Sequence, residues 1–169
     1  SGASLGDERL IAFLVERVKH CANPARLCFE ITETSAISNL TQVREIIGEL
    51  RGLGCQFSLD DFGTGMASFD YLRSLPVDFL KIDGSFIRDI AENPISLSMV
   101  RAVDDIAHLM GMRTVAVFVE SHEIASVLRG IDVDYLQGYA FGRPCFFMPG
   151  DSDHEVVSHI DTVQFVVNA

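Results

Sequence analysis

Ser58-Leu59-Asp60-Asp61-Phe62-Gly63-Thr64-Gly65 closes an apolar run with two adjacent carboxylates and then a loop holding two glycines. A strand that delivers charge to a rim and then turns sharply reads this way, because glycine lets the backbone adopt turns that other residues resist. The strand is expected over Cys55–Asp60, and the same signature recurs on either side of it. Upstream, Arg26–Thr32 alternates, with Phe29 and Ile31 on one side and Cys28 and Glu30 on the other. Downstream, Val77–Ile82 carries Lys81 near its end, and Thr114–Val119 and Val133–Gln137 follow as further strands.

Helical periodicity fills the gaps between strands. Leu10, Ile11, Leu14, Val15 and Val18 form one stripe within Leu5–His20, and Val43, Ile46, Ile47 and Leu50 form another that stops near Gly54. A short helix is expected around Ser68–Arg73, and a helical turn precedes a longer helix that starts after Asn93-Pro94, carries Met99, Val103, Ile106 and Met110, and ends at Gly111. Ser121–Leu128 completes the set, and His154–Val167 fits a helix or a strand equally well. Strand then helix, repeated at intervals of roughly 20 to 35 residues, is the pattern of a parallel sheet with crossover helices, an α/β fold. Glu30, Asp60, Asp61, Lys81 and Gln137 all fall at the C-terminal ends of strands, where such sheets collect ligand groups.

The 169 residues are 48% hydrophobic, with mean hydropathy +0.24, enough to bury a core of ordinary size. A formal net charge of −11 argues against a surface that grips a DNA or RNA polymer through its phosphates. Cys21, Cys28, Cys55 and Cys145 lack C-x-x-C pairing and are expected as reduced thiols, which with the absence of a membrane-length apolar run or a signal-peptide pattern places the expectation in the cytoplasm. Ser1 in place of Met suggests processing or an excised segment.

Glu30 and Asp60 offer hard oxygen ligands to a divalent metal, with Asp61 free for a second ion or a bound water. Two such ions suit phosphodiester hydrolysis, Lys81 can orient the water or hold a phosphate oxygen, and Gln137 can hydrogen-bond water or ligand. Each residue also has a plainer reading: Asp-Asp before Gly as turn chemistry, Lys81 with Asp83 as a surface ion pair, Gln137 as a strand-end bond, Glu33 and Thr34 as caps. The shared placement at strand ends favours a site. Asp61-Phe62-Gly63 lacks the glycine-rich and HRD loops that would make it a kinase motif, and the five histidines show no paired zinc spacing.

Phe29-Glu30-Ile31-Thr32-Glu33, Leu59-Asp60-Asp61-Phe62-Gly63-Thr64-Gly65, Leu75-Pro76-Val77-Asp78-Phe79-Leu80-Lys81-Ile82-Asp83 and Gln137-Gly138-Tyr139 closely resemble successive motifs of bacterial EAL domains, which are cyclic di-GMP phosphodiesterases and their inactive relatives. The resemblance runs from about Ser1 to Pro144. It implies a TIM-like (β/α) barrel, of which this chain holds about the last five strands, with residues 149–169 as a tail after the domain part at 1–148. It also implies Mg2+ or Mn2+ held by Glu30, Asp60 and Asp61, catalytic roles for Lys81, Gln137 and Glu33, the last steadying the loop after the Asp pair, and ligand-binding positions at Asp61, Asp78 and Pro76.

Two departures bear on activity. The family's Ala-Glu-Gly-Val-Glu reads Ala116-Val117-Phe118-Val119-Glu120 here, so a site glutamate becomes a valine, which neither binds a metal nor accepts a proton. The family's opening portion, with its Glu-Ala-Leu motif and an arginine, lies outside this sequence, and an open sheet edge is expected to pair with another copy or with other domains of a longer protein. The first expectation is therefore a degenerate, regulatory cyclic di-GMP-binding module without turnover. The alternatives are a metal-dependent phosphodiesterase with its other ligands outside this chain, and a protein-interaction module with relic site residues.

Overall fold

The computed structural model describes residues 7–64 and 69–143. The expected tail helix or strand at 154–167 therefore lies outside the described residues, as do Gly65 and Cys145.

Asp7 opens α1 (Glu8–Lys19) by accepting from the backbone of Arg9 at 2.9 Å and Leu10 at 3.3 Å. These are the amides that a helix start leaves without partners. The helix buries Val15 and Val18. Pro24 then imposes a 3-10 turn over Pro24–Arg26, so β1 (Cys28–Thr32) starts two residues later than the alternation suggested. An unexpected short helix, α2 (Glu33–Ser38), follows at once. Next come α3 (Leu40–Gly52), whose buried stripe is Val43, Ile46, Ile47 and Leu50, and β2 (Gln56–Phe62).

The rest of the chain repeats the unit with α4 (Phe69–Ser74), β3 (Phe79–Ile82), α5 (Gly84–Ile87), α6 (Pro94–Leu109), β4 (Arg113–Ala116), α7 (His122–Arg129) and β5 (Tyr135–Leu136). Asn93 caps α6 through the amides of Ile95 and Ser96, with Pro94 at its first turn where a missing N–H costs nothing. β4 stops at Ala116, short of the expected Val119, because Phe118 leaves the extended region at φ 59°.

All neighbouring strands pair in parallel, in the sequential order β1-β2-β3-β4-β5. Alternation gives the sheet two unlike faces. Phe57, Leu59, Leu80, Ile82, Ala116 and Leu136 point to the helices and are almost wholly buried. Each of the larger side chains contributes about 1.5–3 kcal/mol by leaving water. The opposite face carries Cys28, Glu30, Ser58, Lys81, Val115 and Gln137 around a cavity of about 410 Å³. This division puts the polar alternates, and with them the candidate chemistry, inside the curve of the sheet. Cys28 shares that face, and burial together with nearby Glu30 pushes its thiol up to about 11, so it stays protonated.

β5 is short, and Gly138 explains how the chain leaves it. A Cβ there would stand 2.2 Å from the Val119 carbonyl oxygen and 2.3 Å from its nitrogen, while Val119 donates to Gln137 and accepts from Ala140 at 3.0 Å each. Backbone meets backbone here, with no flexible side chain to yield. Gly138→Ala is expected to destabilise the fold at the upper end of the range for overpacking, about 3 kcal/mol, as a lowered urea midpoint with an unchanged slope; an unchanged midpoint would show that the contact relaxes freely.

Candidate functional site

The decisive local feature is a bulge in β2. Leu59 faces Leu80 and Phe62 faces Ile82, so Asp60 and Asp61 together oppose the single residue Lys81. Asp61 takes φ 59°, a left-handed conformation that aspartate adopts more readily than most residues, and stands exposed. The bulge breaks the alternation, so two successive carboxylates reach the same rim.

Lys81 binds the rim together. Its Nζ donates to Glu30 Oε1 at 3.0 Å and to Asp60 Oδ2 at 3.1 Å, joining β3 to β1 and β2. The lysine side chain is only 7% exposed, against 43% for Glu30 and 22% for Asp60, so it is a buried cation clamped by two wetter carboxylates. Burial opposes its charge, but Asp60 and Glu30 outweigh it and raise the ammonium above its ordinary range. A raised lysine keeps its stabilising contribution below its ordinary value and loses it only at strongly alkaline pH. Lys81 is therefore charged throughout the neutral range.

Negative charge remains in excess. Burial first, then Asp60 and Asp83, raise the Asp61 carboxyl, with Glu30 adding to them and Lys81 opposing. Glu30, Asp60 and Asp61 supply hard oxygens of the type divalent cations take, although among the described residues it is the ligand atoms of Asp104, His108 and Asp134, not theirs, that all lie within 4.8 Å of one another. The Lys81 ammonium already pairs with both Glu30 and Asp60.

Glu33 acts on the loop beyond the bulge. It is 1% exposed at the start of α2, and its Oε2 accepts from the Gly63 amide at 2.8 Å, while Oε1 has no hydrogen-bond partner among the described residues. Gly63 sits at φ 101°, with a Cβ position only 2.6 Å from the Phe86 ring, so both conformation and space select glycine. Glu33 thus steadies the turn that follows the Asp pair. Gln137 lines the same cavity as Glu30 and Lys81, and its backbone donates to Ala116 at 2.9 Å and accepts from Val119.

The structure does not bring Asp78 and Pro76 to this rim. Both precede β3 and so lie at the opposite end of the sheet from Lys81, where Asp78 accepts from the Phe57 amide and from Arg51 at 2.8 Å each, and the Pro76 carbonyl accepts from Arg51 at 2.8 Å. Their proximity to Lys81 in sequence conceals a full strand length in space. Val117 is 6% exposed, immediately beyond β4. Phe118 is 45% exposed, lies against Gly84 and stacks under Arg88 at 4.5 Å.

Residues 1–144 match the family model described as the EAL domain. The chain belongs to the EAL domain family. Over 145 residues it is 46% identical to the cyclic di-GMP phosphodiesterase PdeB of Shewanella oneidensis, and over 119 residues 42% identical to PdeF of Escherichia coli, covering 85% and 70% of this chain but only 17% and 16% of those proteins. Among solved structures it is similar to the PaMucR phosphodiesterase in complex with c-di-GMP (TM-score 0.79, 30% identity) and to the Pseudomonas aeruginosa FimX EAL domain bound to c-di-GMP (TM-score 0.79, 31% identity). Each match covers 85% of this chain, and 59% and 60% of those chains respectively. The sheet of this EAL domain is accordingly an arc of a TIM-like barrel, and its inner face is the barrel interior.

Lys81→Met leaves Glu30 and Asp60 facing each other without a cation. Because both carboxylates keep contact with water, the expected loss is about 2 kcal/mol, below that of a fully buried pair. Urea unfolding measures it, and Mn2+ is expected to recover more stability in the variant than in the wild type; a variant as stable as the wild type would show that the lysine is not the clamp.

Proposed function

We propose that this EAL domain is a regulatory module that binds cyclic di-GMP through its acidic rim and does not hydrolyse it. The observation that carries the reading is the contrast between two neighbouring strand ends. On β1 to β3, Lys81 bonds both Glu30 and Asp60, with Asp61 beside Asp60 on the bulge. Beyond β4, the family's glutamate position holds Val117, whose side chain has no oxygen to offer an ion or a proton. Binding of an anionic phosphodiester survives on the first set, while loss of one carboxylate withdraws a ligand that hydrolysis needs.

Mg2+ or Mn2+ held by Glu30, Asp60 and Asp61 would supply the positive charge that an acidic rim needs to attract phosphate oxygens. This chain's own residues do the rest. Lys81 holds Glu30 and Asp60 in register and presents a fixed positive charge, Glu33 fixes the Gly63 turn, and Gln137 offers an amide to the shared cavity. Phe118 supports the reading from another side, since a side chain at φ 59° carries backbone strain where the family motif has glycine.

A second reading, a working phosphodiesterase, draws on the retained Glu30–Lys81–Asp60 geometry and on relatives named as cyclic di-GMP phosphodiesterases. Calorimetry of the full-length protein with cyclic di-GMP, with and without Mn2+, combined with chromatography of the nucleotide, separates the readings. The proposal expects Mn2+-enhanced binding with the cyclic dinucleotide recovered intact, and expects Val117→Glu with Phe118→Gly to introduce turnover. Linear dinucleotide produced by the wild type would establish the enzyme, and no binding under either condition would leave an interaction module with relic residues.

A further inference from the structure

Two aspartates that precede strands are used in the same way. Asp78, before β3, accepts from the Phe57 amide on β2 and from Arg51 on α3. Asp134, before β5, accepts from the Thr114 amide on β4 at 2.7 Å and from His108 Nε2 on α6 at 2.7 Å. Each aspartate ties the start of its strand to the preceding strand and to the helix leading into it. The first latch uses a permanent cation and the second a titratable one.

The second latch is the more elaborate. His108 Nδ1 stands 3.5 Å from Asp104 Oδ2, one helical turn back on α6, and Asp104 is 2% exposed. Thr114 Oγ1 donates to Asp104 and lies 3.3 Å from Asp134. Carboxylates thus flank both nitrogens of one ring, which suits a doubly protonated imidazolium. Ligand-type atoms of Asp104, His108 and Asp134 lie within 4.8 Å of one another, and the 2.7 Å separation of His108 Nε2 from Asp134 Oδ2 is a hydrogen bond, with a proton between the two atoms.

We propose that protonation of His108 fastens β5 to β4, so that pH sets the hold on Gln137 from the far end of the sheet. β5 pairs at only two positions, Val115 with Tyr135 and Ala116 with Leu136, and leads straight into Gln137 at the rim. With so short a ladder, the Asp134 latch carries an unusual share of the strand's attachment. The charges that act on the ring are Asp104 from α6 and Asp132 and Asp134 from the turn before β5, while Asp105 acts on Asp104. The hydrogen bond from Asp134 leads the causes that raise His108 above its ordinary value, and His108 in turn helps to lower Asp134. A raised histidine stabilises fully below its unfolded value of about 6.5 and loses that contribution as pH rises through its folded value. On deprotonation, a ring lone pair would face a carboxylate and the latch would weaken.

Hydrogen exchange of the full-length protein at pH 6 and pH 9, corrected for intrinsic rates, tests this. Protection at Thr114 and Gln137 is expected to fall about tenfold at the higher pH, while Phe57, held by the Arg51 latch, keeps its protection. His108→Gln is expected to lower protection at both pH values and to remove the difference between them. If that variant does not fold, the wild-type comparison of Thr114 with Phe57 decides alone. Equal protection of Thr114 and Gln137 at the two pH values, or a pH dependence that persists in His108→Gln, would overturn the proposal.

Discussion

Lys81 joins three strands at the rim through a single side chain, and the bulge in β2 decides what it joins. Two residues of β2 oppose one of β3, so Asp60 stays within reach of the ammonium while Asp61 turns outward at φ 59°. Without the bulge, alternation would send these neighbours to opposite faces and leave one carboxylate among the helices. The excess negative charge around Asp61, the Glu33 bond to Gly63 and the glycine at φ 101° all follow from the need to complete that turn.

The two ends of the sheet divide the labour. At the C-terminal ends of the strands, the side chains carry charge and cavity-lining groups. At the N-terminal ends, Asp78 and Asp134 spend their charge on backbone amides and on Arg51 and His108 of the preceding helices. Such bonds have high value because they satisfy amides at strand starts that would otherwise lack a partner. The same residue type therefore serves adhesion at one end and, in the proposed function, ligand chemistry at the other.

Much of this was legible from pattern. Alternation in the first strand and apolar runs between turn signals in the others located the five strands of the described residues, and the order of carboxylate, carboxylate, ammonium and amide along successive strand ends brought out Glu30, Asp60, Lys81 and Gln137. What alternation alone does not encode is register between strands. The bulge was invisible for that reason, and β4 ran too long because Val117-Phe118-Val119 is as apolar as a strand while Phe118 adopts φ 59°. Asp78, close to Lys81 in sequence, lies at the other end of the strand, away from the rim. His108 drew no reading beyond the lack of paired zinc spacing because its partners, Asp104 and Asp134, come from one turn back and from beyond α7.

In the proposed function, Glu30, Asp60 and Asp61 beside Lys81 are the part of the rim that would hold a cation, and Val117 stands where the family motif has a glutamate. The most direct measurement is electron paramagnetic resonance of Mn2+ titrated into the full-length protein and its Asp60→Asn variant. The account predicts a bound Mn2+ population whose affinity falls at least about tenfold in the variant, the cost of one lost charged ligand. Failure of the wild type to bind Mn2+, or binding unaltered by Asp60→Asn, would contradict it.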